Sequence, residues 1–279
     1  MPEYTSAYDL LLDAELRADG LGSSKGVLIV EGPDDKRVFA RHVADPAQIL
    51  PAGGRRLLMS AHEKASEIQR TKMIFVTDCD YEVRFKTLHG ASDLVITTYT
   101  DMESDLISLG LIEAVLIEFV PSALSSNSAC RSIAATVSEK ARNIALPMGR
   151  MRMAAKPLGI PINLDDVKIS RYWDARKGEM NSARLVDAMH TKVSEAVTFE
   201  QWRDRVDATP TDFGMCHGKD LVRAVAFLLK TEHRSDGITV DSLARVMRSS
   251  ISPAHLKSWD VVRRIESWQQ ANRRDVFLS

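Results

Sequence analysis

The sequence predicts an α/β fold: a mainly parallel sheet flanked by helices, followed by a mainly helical C-terminal region. Three observations carry that expectation. Short apolar runs that read as buried strands, VLIV at 27–30 and MIFVTD at 73–78, recur in the first half. Stretches with helical spacing of apolar residues alternate with them. Beyond residue 126 the segments are mainly helical.

Residues 6–19 place Leu and Ala at helical intervals and read as the first helix. The strand at 27–30 follows, then a helix over 34–43. A short strand near 47–50 runs into the turn Pro51-Ala52-Gly53-Gly54, and 57–70 is helical. The strong strand at 73–78 comes next, then a third at 95–99 (VITTY) and the helical MESDLISLG. After Pro121 and the Ser-rich stretch SALSSNS, helices are expected at 130–144, 181–197, 218–232, 240–249 and 258–274. This places an α/β domain at 1–125 and a helical, basic domain at 126–279.

The chain has 279 residues and a net charge of −1, but the charge is unevenly distributed. Residues 1–125 hold 12 Lys and Arg against 20 Asp and Glu; residues 126–279 hold 25 against 18. An acidic half joined to a basic half suits a metal site beside a polyanion-binding surface. No apolar run approaches the roughly 18 residues a membrane span needs, so no membrane partner is expected. The N-terminal stretch lacks the order of a secretory signal. Cys79, Cys130 and Cys216 match no zinc or redox spacing, which fits reduced thiols and a cytoplasmic location.

Acidic residues follow three of these strands, at 27–30, 73–78 and 95–99. Glu31 ends the first, with Asp35 four residues on; Asp78-Cys79-Asp80 ends the second; Asp101 and Glu103 follow the third. In a parallel sheet these lie at one edge, where functional groups gather. Crowded carboxylates repel one another, and a hard divalent cation relieves that. Gly32 permits a tight turn that aims Glu31. Asp34 reads as a helix-start charge and Asp101 as an N-cap. Glu82 and Asp105 read as exposed helix charges, and His217 as a loop residue.

VLIVEG (27–32) and IFVTDCD (74–80) together resemble a TOPRIM domain, in which a glutamate-glycine ends the first strand and an Asp-x-Asp ends a later one. Asp35 and the Thr-Asp-Met-Glu-Ser-Asp-Leu segment look like the OLD nuclease branch, and closer still to stand-alone TOPRIM effectors of PARIS-type anti-phage systems. CHGKDLVRAVAFLL (216–229), with its Gly-Lys-Asp opening a helix, resembles the same group. A lysine in a helix's first turn is disfavoured by the dipole and suggests a further job there.

The resemblance implies metal-dependent phosphodiester cleavage. Asp78 and Asp80 would hold the principal Mg²⁺ or Mn²⁺. Glu31 would be a ligand or proton-handling group, and Asp35 and Glu103 would complete the metal set. Lys219 would stabilise charge on the phosphate. Arg150, Arg152 and Lys156 in GRMRMAAK are expected to contact the backbone of nucleic acid, DNA or tRNA. Arg171, Tyr172 and Trp173 offer stacking on an unpaired base. An ATPase partner and a homodimer are also implied. No Walker A spacing is present, so ATP dependence would come from another chain. The competing expectations are a non-catalytic TOPRIM binding module and a haloacid-dehalogenase-like phosphatase, which also places Asp-x-Asp after a strand.

Overall fold

The computed structural model describes residues 4–121, 125–193 and 195–277. Residues 122–124 of the Ser-rich break lie outside the described residues. The chain divides into two compact units, Met1–Thr98 with Ile251–Ser279, and Tyr99–Ser250.

The first unit opens with α1 (Ala7–Leu21), whose N-cap Ser6 accepts from the Asp9 amide. β1 (Val27–Val30), α2 (Pro33–Phe39) and β2 (Ile49–Pro51) follow, then α3 (Arg55–Lys64), α4 (Glu67–Arg70), β3 (Met73–Thr77) and β4 (Leu94–Ile96). The four strands form one parallel sheet in the order β2-β1-β3-β4. Every residue of the four strands is buried, as expected for a parallel sheet covered on both faces. Val27, Ile29, Met73 and Phe75 join Leu10, Leu11 and Ala14 of α1 and Leu58 and Ala61 of α3 in one core. Their strand neighbours Leu28, Val30, Ile74 and Val76 point by the period of two to the opposite face.

The helix expected over 57–70 is two helices. Ala65 leaves helical backbone, and Ser66 caps a new turn by accepting from Gln69. The helix expected to reach 43 ends at Phe39, and Asp45 then caps a 3₁₀ turn over Pro46–Gln48.

The second unit is helical: α5 (Met102–Ser108), α6 (Ile112–Phe119), α7 (Asn127–Ala155), a two-residue hairpin β5 (Trp173–Asp174) and β6 (Glu179–Met180), α8 (Ser182–Met189), α9 (Phe199–Asp207), α10 (Gly218–Glu232) and α11 (Val240–Ser249). α7 runs on through Pro147 and packs along α10. α6, α9 and the hairpin had no counterpart in the sequence reading.

α12 (Pro253–Ser258) and α13 (Asp260–Asn272) belong to the first unit. Trp259 stacks on Phe39 with centroids 5.5 Å apart, Trp268 Nε1 donates to the Arg70 carbonyl, and the Gly26 amide donates to the Asp275 carbonyl. The compact units therefore do not follow the sequence division at 125/126. α5 and α6 pack with helices of the second unit, and the last helices return to the first. Among the described residues no helix is long and apolar enough to cross a membrane.

Candidate active site at the sheet edge and the Gly-Lys-Asp corner

The order β2-β1-β3-β4 makes the chain move from β1 to β2 on one side and then back past β1 to β3. The crevice at such a reversal, outside the strands' carboxyl ends, is where open α/β sheets bind ligands. Glu31 follows β1 and Asp78 follows β3, so both sit at that point.

Glu31 is tightly held. Its Oε1 accepts from Thr77 Oγ1 at 2.5 Å and from the Asp78 amide at 2.9 Å. Its carbonyl accepts from the amides of Gly53 and Gly54 at 3.1 and 2.9 Å. Gly53 and Gly54 have φ of 86° and 133°, backbone that residues with a Cβ rarely adopt. The conformational freedom assigned to Gly32 is therefore used at Gly53-Gly54. Gly32 itself has φ −141°, which any residue adopts, and is the N-cap of α2.

Asp35 turns back on its own helix, where its Oδ2 accepts from the Gly32 amide at 2.8 Å. Asp34 pairs with Arg37 one turn on, in keeping with a helix-start charge.

The loop after β3 is strained. Asp80 and Tyr81 have φ of 45° and 68°, and Tyr81 is buried. An aspartate tolerates this region; a bulky aromatic there is an outlier, of the kind found at functional sites. The loop is pinned by the Cys79 amide, which donates to Thr97 Oγ1 at 2.9 Å.

Arg55, the first residue of α3, was missed by sequence reasoning. Its Nη1 donates to the Asp78 carbonyl at 2.6 Å and to Asp80 at 3.1 Å, its Nη2 donates to Glu82 at 2.7 Å, and Glu31 lies 3.9 Å away. One guanidinium thus reaches the carboxylates of Glu31, Asp80 and Glu82 and the Asp78 carbonyl. The signal was present: a cation in a helix's first turn opposes the dipole, the argument already applied to Lys219. Glu82, expected to be solvated, is held by Arg55. Among the described residues, no group of three or more His, Cys, Asp or Glu side chains is gathered as a metal-holding set.

The second unit builds a different acidic corner. Asp101 caps α5, as expected, by accepting from the Ser104 amide at 2.9 Å. It also accepts from the Gly218 amide at 2.8 Å and lies 3.0 Å from His217 Nδ1. Burial pushes the Asp101 carboxyl upward, but His217 and Ser104 outweigh it and hold the group below the ordinary aspartate value. His217 is thus a partner of Asp101 as well as a loop residue.

The glycine of Gly-Lys-Asp is there for close approach. A Cβ on Gly218 would lie 2.8 Å from the Ser104 amide nitrogen and 2.5 Å from Glu103 Cβ. Asp220 is wholly buried, hydrogen-bonded by Arg152, and 3.1 Å from Arg223. Lys219 is the exposed member and pairs with Asp165 at 2.5 Å. Glu103 pairs with Arg248 at 3.6 Å. Asp105, expected to be exposed, is buried and accepts from the Tyr99 amide at 2.8 Å.

The three basic residues expected at nucleic acid are placed differently from one another. Arg150 donates to the Val206 and Asp207 carbonyls and to Thr209, closing the C-terminal end of α9. Arg152 is the partner of Asp220. Lys156 is exposed just past the end of α7. Trp173 packs edge-on against Phe227, with centroids 6.1 Å apart.

No family model matches the chain, and no curated protein matches it either.

Proposed function

We propose that the chain is a TOPRIM-type endonuclease, dependent on Mg²⁺ or Mn²⁺, that hydrolyses phosphodiesters in DNA or RNA, tRNA included. The observation that carries this reading is the bond between the Glu31 carboxylate and the Asp78 amide at the β1/β3 reversal. It joins the two halves of the motif, Glu-Gly and Asp-x-Asp, at the sheet position where ligands bind.

The donors fit a hard cation. Glu31, Asp78 and Asp80 offer only carboxylate oxygens, the set that Mg²⁺ and Mn²⁺ take. The Arg55 guanidinium bound among them is direct support that the edge favours positive charge. A bound divalent cation would supply charge neutralisation at the phosphate and a more acidic water. Glu31, oriented by Thr77 and the Asp78 amide, takes the proton of the attacking water. Asp80, projected by its left-handed backbone, completes the acidic edge with Asp78. Asp35 orders the β1–α2 turn as a cap and stands outside this set.

On the same reading the protein is the toxic effector of an ATPase-linked anti-phage system, cytoplasmic and homodimeric when active. The purified protein is expected to nick or degrade plasmid DNA or tRNA with Mn²⁺ present. Glu31→Gln is expected to lower the rate by about 10²–10³-fold. Equal cutting by the two proteins refutes the assignment.

A non-catalytic nucleic-acid-binding module is the second reading, and Arg55 favours it. A guanidinium that satisfies Asp80 and Glu82 is what an edge retired from metal chemistry would keep. Such a module binds nucleic acid with steep salt dependence and leaves it uncut at every metal concentration.

A further inference from the structure

The second unit holds a cavity that the nuclease reading does not use. It lies beside α7 and has a volume of about 490 Å³. A second hollow of about 430 Å³ adjoins it, sharing Ser138, Arg142 and Phe213. Volumes of this size suit a small organic ligand.

Its floor is one stripe of α7. Arg131, Ala134, Ala135, Ser138 and Arg142 recur at the spacing that puts side chains on a single helix face. The small middle residues leave a flat surface between two exposed arginines, about 16 Å apart along the axis. Tyr99 and Phe213 also line the cavity and meet edge-to-face with centroids 4.8 Å apart.

That aromatic pair is fixed in place. The Tyr99 amide is held by the buried Asp105 carboxylate. Phe213 opens a 3₁₀ turn capped by Asp212, which accepts from the Gly214 amide at 2.9 Å. Arg142 Nη2 donates to the Thr211 carbonyl at 3.2 Å, which brings the guanidinium to the same loop. A guanidinium has five donors in a fork that matches phosphate oxygens. Glu113 adds a carboxylate to the lining. It repels phosphate near itself and accepts from amino or hydroxyl groups.

Flat apolar floor, aromatic pair, carboxylate and flanking guanidinium together match one ligand chemistry: an aromatic base carrying a phosphate. We propose that this cavity is a nucleotide subsite, with the base against Tyr99 and Phe213 and the phosphate on Arg142. Its source is either a free mononucleotide or an unpaired nucleotide within a strand. The proposal stands on the second unit alone and does not depend on cutting at the sheet edge.

The test is calorimetric titration of the full chain with AMP, adenosine and a 5′-phosphorylated single-stranded hexanucleotide. Arg142→Gln and Ala135→Trp are the variants; both positions are exposed, so the fold tolerates them. AMP is expected to bind saturably, and adenosine at least tenfold more weakly. Arg142→Gln should bring AMP down to the adenosine level, and Ala135→Trp should abolish binding of both. A hexanucleotide that binds more tightly than AMP identifies a strand as the source; the reverse order identifies the free nucleotide. Absence of saturable binding by AMP and hexanucleotide alike overturns the proposal, as does binding unchanged in both variants. Glu31→Gln is expected to keep AMP binding, so loss of cutting and loss of this subsite are read separately.

Discussion

The sheet edge of the first unit and the Gly-Lys-Asp corner of the second both gather carboxylates beside a helix that starts with a cation. They use them in opposite ways. At the corner, Asp101 and Asp220 are buried, and each is met by several donors within its own unit. At the edge, Glu31 keeps 18% of its side chain exposed, and one guanidinium is spread over three acidic side chains. A fold depends on buried, saturated carboxylates, because removing either partner of such a pair leaves the other charge buried without compensation. Partly exposed carboxylates sharing one cation contribute little to stability and can exchange that cation for another.

The largest expected effect that separates the two sites is at the corner. Asp220→Ala takes the wholly buried acceptor away from the half-buried Arg152 and Arg223, so urea unfolding should show a loss of about 3–5 kcal/mol. A loss below about 1 kcal/mol would erase the contrast.

Asp93 places a saturated carboxylate in the first unit, where it meets Arg70 at 2.7 Å and His62 at 3.2 Å. Burial raises this carboxyl, yet His62 and Arg70 hold it below the ordinary value of 3.8. A depressed carboxyl binds its proton more readily in the unfolded chain, so its stabilisation is present above pH 3.8 and lost as the pH falls through the folded value. Asp93→Asn should therefore cost about 1–3 kcal/mol at pH 7 and progressively less below pH 4, read from unfolding midpoints. A cost independent of pH would contradict the pairing.

Lys219→Ala is the smallest expected change in stability. Lys219 is more than half exposed, and its pair with Asp165 is worth less than about 1 kcal/mol in thermal unfolding. If the proposed nuclease reading holds and this residue meets the phosphate, cleavage should fall by about 10²–10³-fold. A variant that is less stable yet cuts normally would make Lys219 a structural residue.

The strands at 27–30 and 73–77 were legible because parallel strands buried on both faces are apolar without interruption. The acidic edge was legible for the same reason: a charge ending such a run has no place in the core. Arg55 was not, because it gains meaning only when α3 brings it to residues 78–82, more than 20 positions away. The buried Asp220 was equally hidden, since an aspartate in a helix's first turn is ordinary until the long α7 supplies Arg152. Glycines misled in one place. Glu-Gly drew attention to Gly32, while the positive-φ turn at Glu31 is made by Gly53 and Gly54, just after the next strand.

The divalent cation proposed at the sheet edge is tested most directly by Mn²⁺ binding followed by electron paramagnetic resonance. The wild type should bind Mn²⁺ saturably, Asp78→Asn with Asp80→Asn should lose at least tenfold in affinity, and Arg55→Gln, which removes the competing guanidinium, should gain. Mn²⁺ that remains free in the wild type, or binds equally to all three proteins, would contradict the account.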